Sequence, residues 1–191
     1  MTRRDLRSDE TLIDAVNRGD VRAFDVLYHR YRDWVYRLAR RFTGNDEEAL
    51  DVLQETFSYF LRKFPGFKLT AQLTTFLYPA VKNKSMDRIR IRKRFVSGEN
   101  VFKTMGTSPE MKQGSLGDLS SLLEDLPTVQ YEVLIMRFVD DMKLDEIAEA
   151  LDIPVGTVKS RLHNALKTLR NDKRTRSYYE IDHASSSENG I

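Results

Sequence analysis

The stretch from Asp145 to Arg170, DEIAEALDIPVGTVKSRLHNALKTLR, restricts the possible folds more than any other part of the chain. Leu144, Ile147, Ala148 and Leu151 recur at spacings of three and four, which places apolar side chains on one face of an α-helix. Asp152-Ile153-Pro154 then breaks the period. Proline lacks the N–H that an interior helical position requires but suits a first turn, so a second helix is expected from about Pro154 or Val155. Val155, Val158, Leu162, Ala165 or Leu166, and Leu169 make its inward side. Thr157, Lys159, Ser160, Arg161, His163 and Asn164 are left outward near its N-terminus, hydrogen-bonding and cationic groups of the kind that read base edges and phosphates in a major groove. The pattern predicts a DNA-binding helix-turn-helix, against the blander alternative of a helical hairpin with a solvated polar face.

A second basic region lies upstream. In Lys82 to Arg94, KNKSMDRIRIRKR, the cations Lys82, Lys84, Arg88, Arg90, Arg92, Lys93 and Arg94 accompany a single acid, Asp87. With Leu77, Val81, Met86 and Ile89 on the apolar side, this reads as a phosphate-binding stripe along the outer face and C-terminal end of a packed helix. Complementing the helix macrodipole accounts for part of the run, but seven cations exceed that need. Just before it, Pro65 to Thr75 is polar and turn-rich and is followed by Phe76 and Tyr78, which brings aromatic rings beside cations. Rings and cations together suit single-stranded DNA, although Phe76 and Tyr78 taken singly are more often core.

The rest of the N-terminal half reads as three helices. Leu12, Ala15 and Val16 begin the first, which Gly19-Asp20 ends; Phe24, Leu27, Tyr28, Tyr31, Val35, Leu38, Ala39 and Phe42 form a long second, closed by Gly44. A third runs from about Asp46 to Phe64 with Leu50, Leu53, Phe57, Phe60, Leu61 and Phe64 inward and an outer strip of Asp51, Gln54, Glu55 and Ser58. By periodicity alone that strip is either a solvated face or a docking surface. From Phe95 to Asp118 glycine, serine, asparagine and proline collect without an apolar period, which predicts a flexible linker. Leu119 to Leu126 leads into Pro127, and Val129, Val133, Leu134, Met136 and Phe138 are expected to form a helix that packs on the helix-turn-helix. Lys173 to Ile191 reads as a mobile polar tail. The expected fold is all-α, two small helical domains joined by the linker.

Composition removes other classes. With no cysteine, disulfides, thiol catalysis and cysteine-ligated zinc are excluded, and His29, His163 and His183 are too few for a histidine-rich metal site. No cofactor and no metal are expected. There is no apolar run of membrane-spanning length and no apolar stretch near MTRRDLRSDE, so a cytoplasmic protein without membrane insertion is expected. The formal net charge is only +2, so nucleic-acid affinity has to come from where the cations lie.

The order of these parts resembles the extracytoplasmic-function (ECF) sigma factors of the sigma-70 family, bacterial RNA polymerase subunits that direct promoter recognition. GDVRAFDVLYHRYRDWVYRLARRFTG resembles the start of sigma region two, DVLQETF its polymerase-docking helix and TFLYPAVKNKSMDRIRIRKR its promoter-melting segment. LPTVQYEVLIMRFVDDMKLDEIAEALDIPVGTVKSRLHNALKTLR resembles a complete region four. The resemblance implies region two over residues 10–95, a linker over 96–118, region four over 119–172 and a tail over 173–191. It further implies docking on the clamp helices of the largest polymerase subunit through Asp51, Gln54 and Glu55 with Phe57 in support. Thr157, Lys159, Ser160, Arg161, His163 and Asn164 would read the minus-thirty-five element as duplex, while region four's other side rests on the polymerase flap. At the minus-ten element the Lys68 to Thr75 loop would hold an unpaired base, with Phe76, Tyr78, Lys82, Asn83, Asp87, Arg88, Arg90 and Arg92 handling adjoining bases and backbone. Such a protein catalyses nothing itself and commonly answers to an anti-sigma factor.

The chain departs from the family's pattern at four places. Phe76 replaces a tryptophan, and Pro79 stands at a helix-compatible position, which predicts a shifted or kinked start of the melting helix. Asn164 stands where arginine is common. Lys143 replaces a capping serine or threonine, a loss of about 1 kcal/mol unless Asp145 or water compensates. Two other classes compete: a stand-alone helix-turn-helix regulator, which leaves the acidic DVLQETF strip unexplained, and a nucleic-acid enzyme, for which no phosphate-cradling loop or carboxylate or histidine cluster is evident.

Overall fold

The computed structural model describes residues 5–96, Leu123 and residues 125–172. The described residues hold seven α-helices and no strand, an all-α architecture, and they divide into an N-terminal and a C-terminal unit. Most of the expected linker and the whole expected tail lie outside the described residues.

Four helices build the N-terminal unit: α1 (Asp9–Asn17), α2 (Val21–Thr43), α3 (Asp46–Leu61) and α4 (Leu73–Val96). The first three start on a polar cap, because the leading N–H groups of a helix have no partner within it. Ser8 Oγ accepts from the Thr11 N–H at 3.3 Å, Asp20 Oδ1 from Arg22 N–H at 3.0 Å, and Asn45 Oδ1 from Glu48 N–H at 3.0 Å. Gly44 closes α2 in the left-handed conformation (φ 70°), as the sequence indicates. Helix α2 packs against α1, α3 and α4, and α3 against α4. Leu12, Leu27, Val35, Leu38, Phe60, Leu73, Leu77 and Val81 are fully buried among them. Phe60 lies at the centre of a ring cluster, with centroids of Phe64, Phe67, Phe76 and Phe24 at 5.2, 5.3, 5.5 and 5.6 Å.

Three expectations for this unit need correction. Leu50 and Leu61 are 49% and 50% exposed, because they sit just past the edge of the buried arc made by Ala49, Val52, Leu53, Thr56, Phe57 and Phe60. Helix α3 ends at Leu61 rather than near Phe64, so Phe64 joins the ring cluster from the following turn. Helix α4 begins at Leu73 and runs on through Pro79, although proline offers no N–H to the carbonyl of Thr75. The loop before it therefore stops at Gln72, with Thr75 buried inside the helix.

The C-terminal unit has α5 (Thr128–Phe138), α6 (Leu144–Leu151) and α7 (Val155–Asn171), each packed on the other two. Its core comprises Val133, Leu134, Met136, Met142, Ile147, Ala148, Val158 and Ala165, together with Ile135, which the periodicity did not single out. Val129 (44% exposed), Phe138 (61%) and Val155 (38%) face outward, against expectation. All three stand in terminal turns, where a short helix overhangs its neighbours. Of the alternatives Ala165 and Leu166, Ala165 turns inward and Leu166 stays 43% exposed.

Between α6 and α7, Asp152 adopts φ 53° and Ile153 N–H bonds the Ala148 carbonyl at 3.0 Å, which reverses the chain in a few residues. At the start of α6 the missing hydroxyl cap is half replaced. Glu146 Oε2 accepts from the Lys143 N–H at 2.9 Å, so the compensating carboxylate is Glu146, not Asp145. A lysine side chain can only donate, so the reverse bond, from the Glu146 N–H to the side chain at the cap, has no acceptor.

Candidate nucleic-acid interface

Helix α7 carries the outward face that its sequence predicts. Lys159, Ser160, His163 and Asn164 are exposed, and Thr157 and Arg161 are half-buried. The helix has Lys159, Arg161, Lys167 and Arg170 and no acidic residue. Among the described residues no carboxylate pairs with Lys159 or Arg161, so both charges remain available to a phosphate or a guanine edge. Ser160 Oγ donates to the Thr157 carbonyl at 3.0 Å, which keeps its lone pairs outward as acceptors. Val158 and Ala165 anchor the opposite side in the core, fixing the rotation of the helix about its axis. Gly156, in the first turn, meets no other group where a Cβ would stand, and it leaves the N-terminal end of the face low and open.

The N-terminal unit presents a different electrostatic arrangement. Glu48, Asp51 and Glu55 of α3 lie opposite Arg92, Arg88 and Lys84 of α4. Arg88 Nη1 stands 2.9 Å from Asp51 Oδ2, and its Nη2 bonds Glu55 Oε1 as well. Lys84 Nζ is 3.5 Å from Glu55 Oε2. Arg92 Nη1 donates to Glu48 Oε2 at 3.0 Å and to the Thr43 carbonyl at 3.1 Å. Burial pushes the Glu55 carboxyl up, but the Arg88 hydrogen bond and charge, with Lys84, outweigh it and hold the group below the ordinary carboxylate range. The basic stripe thus faces three acids on α3 in addition to Asp87, which pairs with Arg90 at 2.9 Å. Gln54 and Asn83 are exposed, and Lys82 is half-buried.

The aromatic residues are arranged differently from the expectation. Tyr78 is only 2% exposed and packs against Phe42, so it is core and offers no face to a base. Phe76 is half-buried, and Phe57, 4% exposed, supports the α3 strip only from within. The ring that the sequence reading missed is Tyr59. It stacks on Phe76 with planes 8° apart and centroids at 5.9 Å, and Lys63 and Lys84 ammonium groups lie 4.7 and 5.9 Å from its centroid. Tyr59 occupies an intermediate position on α3, neither in the apolar stripe nor opposite it, so helical period alone gives no signal for it.

The loop from Pro65 to Gln72 is pinned from a distance. The Asn17 side chain at the end of α1 donates to the Phe67 carbonyl at 2.8 Å and accepts from the Gly66 N–H at 2.7 Å. Gly66 has φ 103°, a conformation that side chains rarely adopt. Phe67 inserts beside Phe60 and Phe76, while Lys68 remains exposed. The stacked Tyr59–Phe76 pair thus has the Lys63 and Lys84 ammonium groups beside it, rings and cations together, the combination that single-stranded nucleic acid requires. Among the described residues no group of three or more histidines or carboxylates could hold a metal, and no helix is long and apolar enough to cross a membrane.

Two family models match the chain, Sigma-70 region 2 over residues 27–95 and Sigma-70, region 4 over residues 116–169. The ECF RNA polymerase sigma factor SigW of Bacillus subtilis is 33% identical over 178 residues, a span that covers 85% of this chain and 95% of SigW. Among solved structures, CnrH in complex with the cytosolic domain of CnrY aligns with a TM-score of 0.61 at 23% identity, over 91% of this chain and 98% of that one. The sigma factor RpoE of Bartonella quintana, in complex with the anti-sigma factor NepR, gives 0.59 at 21% identity over 80% and 100% of the two chains. At these identities the structural likeness concerns the fold.

Proposed function

The chain belongs to the sigma-70 family, in its extracytoplasmic-function group, and from that premise we propose how its two units divide promoter recognition. It is an alternative sigma factor that binds core bacterial RNA polymerase and directs transcription initiation. A region-two match beside the region-four match removes the stand-alone regulator as an alternative.

In the proposed reading, α7 enters the major groove of the minus-thirty-five element and reads it as duplex through Lys159, Ser160, Arg161, His163 and Asn164, with Thr157 near the backbone. The observation that carries this is the unpaired state of Lys159 and Arg161 among the described residues, on a face with no acid of its own. The N-terminal unit captures an unpaired minus-ten base against the Tyr59–Phe76 pair, with Lys68, Asn83 and Arg90 on the adjoining strand. Holding that base lowers the energy of the separated strands, so melting needs no nucleotide hydrolysis and the protein contributes no chemistry of its own. Asp51, Gln54 and Glu55 dock on the clamp helices of the largest polymerase subunit, region four rests on the flap, and an anti-sigma factor is the regulatory partner. The protein acts in the cytoplasm.

Run-off transcription with core polymerase on a library of promoter fragments tests the reading. New transcripts that share two sequence elements upstream of their starts are expected. Tight duplex binding that needs no polymerase, with no new transcript, would sink it.

A further inference from the structure

The acidic strip and the basic stripe serve different partners in the proposed function, polymerase and DNA, yet in this fold they satisfy each other. On α3 the rungs Glu48, Asp51 and Glu55 advance by three and four residues; on α4 their partners Arg92, Arg88 and Lys84 step back by four. The helices therefore run antiparallel in a register that matches charge to charge over three successive turns. Arg88 sits at the middle, shared between Asp51 and Glu55. A guanidinium with donors committed to two carboxylates has little positive charge left for a phosphate. The side chains of Asp51, Glu55 and Arg88 remain 50%, 41% and 32% exposed, so solvent weakens each pair and a competing partner can open it.

We propose that Asp51 and Glu55 restrain Arg88 and Lys84 from nucleic acid in the free protein, and that docking of core polymerase on these carboxylates releases both cations to the DNA. The inference rests on the docking surface proposed above. A polymerase group that donates to Asp51 or Glu55 competes with Arg88 and Lys84 for the same negative charge, because Asp51 Oδ2 and both Glu55 oxygens already face those cations. Linkage then makes the effect mutual: whatever factor polymerase adds to DNA affinity, DNA adds to polymerase affinity. The ladder would keep free protein off single strands and let it engage them only in the holoenzyme.

The test uses the full chain, without polymerase, and a fluorescently labelled random-sequence single-stranded oligonucleotide, which the duplex-reading helix α7 is not built to hold. Glu55→Gln keeps the shape of the side chain and removes its charge. It is expected to tighten binding about three- to ten-fold and to steepen the plot of log affinity against log salt by about 0.7, the value for one more phosphate contact. Glu47→Gln removes one charge from the exposed side of the same helix, outside the ladder, and is expected to change binding by less than about two-fold, the level of a screened surface charge. In an Arg88→Ala background the gain from Glu55→Gln should shrink. Pull-down on core polymerase completes the set, with Glu55→Gln expected to weaken capture. Equal gains from Glu47→Gln and Glu55→Gln, or no gain from Glu55→Gln, overturn the restraint. A gain in DNA binding with unchanged polymerase capture overturns the handover. If the unmutated chain fails to bind polymerase at all, the functional reading itself is wrong, an outcome distinct from the others.

Discussion

Replacing Lys143 by serine should stabilise the helix-turn-helix, and the size of the effect follows from the cap of α6. Lys143 has the extended backbone of a capping residue (φ −74°, ψ 161°) but no side-chain acceptor to offer. Its own N–H is already satisfied by Glu146, and the orphan is the N–H of Glu146 itself, which a serine Oγ at position 143 is placed to accept. A hydroxyl cap in that geometry contributes about 1 kcal/mol. For a domain of this small size that corresponds to a rise in unfolding temperature of about 4–8 °C. Glu146→Ala should do the reverse, costing about 1–2 kcal/mol, because it strips the Lys143 N–H of its partner at a helix start that has no other cap. The two changes meet in one box, so their effects should not add: serine should gain less in the Glu146→Ala background. The assay is thermal unfolding of the full chain followed by two probes. Trp34, the single tryptophan, lies in α2 and reports on the N-terminal unit alone, whereas circular dichroism sees both units. Lys143→Ser should move part of the dichroism transition upward and leave the fluorescence transition where it is. A dichroism transition that stays put or falls refutes the reasoning, since it would mean that water already caps α6 as well as a hydroxyl can.

Three further outcomes are expected. Lys159→Ala and Arg161→Ala should each lower promoter-specific run-off transcription about ten-fold, the cost of one base or phosphate contact, while capture on core polymerase stays intact; loss of capture in both would move these residues to another role. Gln54→Ala, outside the charge ladder and exposed, should weaken polymerase capture without shifting the Trp34 unfolding transition, and unchanged capture would return that position to a solvated face. The N-terminal unit should lose stability in acid. Asp46 is held below its ordinary range first by the Tyr36 hydroxyl and then by Arg40, and Glu55 is held low by Arg88 and Lys84 in spite of its burial. Because the folded values are depressed, this stabilisation is present above the ordinary values of 3.8 and 4.5 and disappears as pH falls through the lower folded ones. A Trp34 unfolding midpoint that rises or holds steady through that acid range would contradict it.

Much of this molecule could be read in one dimension, and the parts that could not share a cause. Period and punctuation located the helices: Gly44 and Pro154 mark ends that the structure reproduces, and Leu12, Val35, Phe60, Ile147 and Val158 are buried as their spacing requires, whereas Asp20, read as part of the end of the first helix, caps the start of the second. Period does not say where a helix runs out of neighbours, so Val129, Phe138 and Val155 were assigned to the core and are exposed. Nor does it say how two helices align. The pairing of Arg88 with Asp51 and Glu55 joins residues 37 and 33 positions apart, and it depends on a register that neither sequence segment contains by itself. Tyr59 was overlooked and Tyr78 over-read for the same reason, because a ring becomes a platform or a core residue according to what lies across from it.

Asn17 shows how far such dependence can reach. Its one amide grips both the Gly66 N–H and the Phe67 carbonyl, so the loop that precedes α4 takes its position from the end of α1, some fifty residues earlier in the chain. Exchange of the loop alone between this sigma factor and a relative would carry over side chains but not their placement. If the loop reads the minus-ten element as proposed, a transplant of that preference is expected to need the residue at position 17 as well, since Asn17 holds the loop at Gly66 and Phe67.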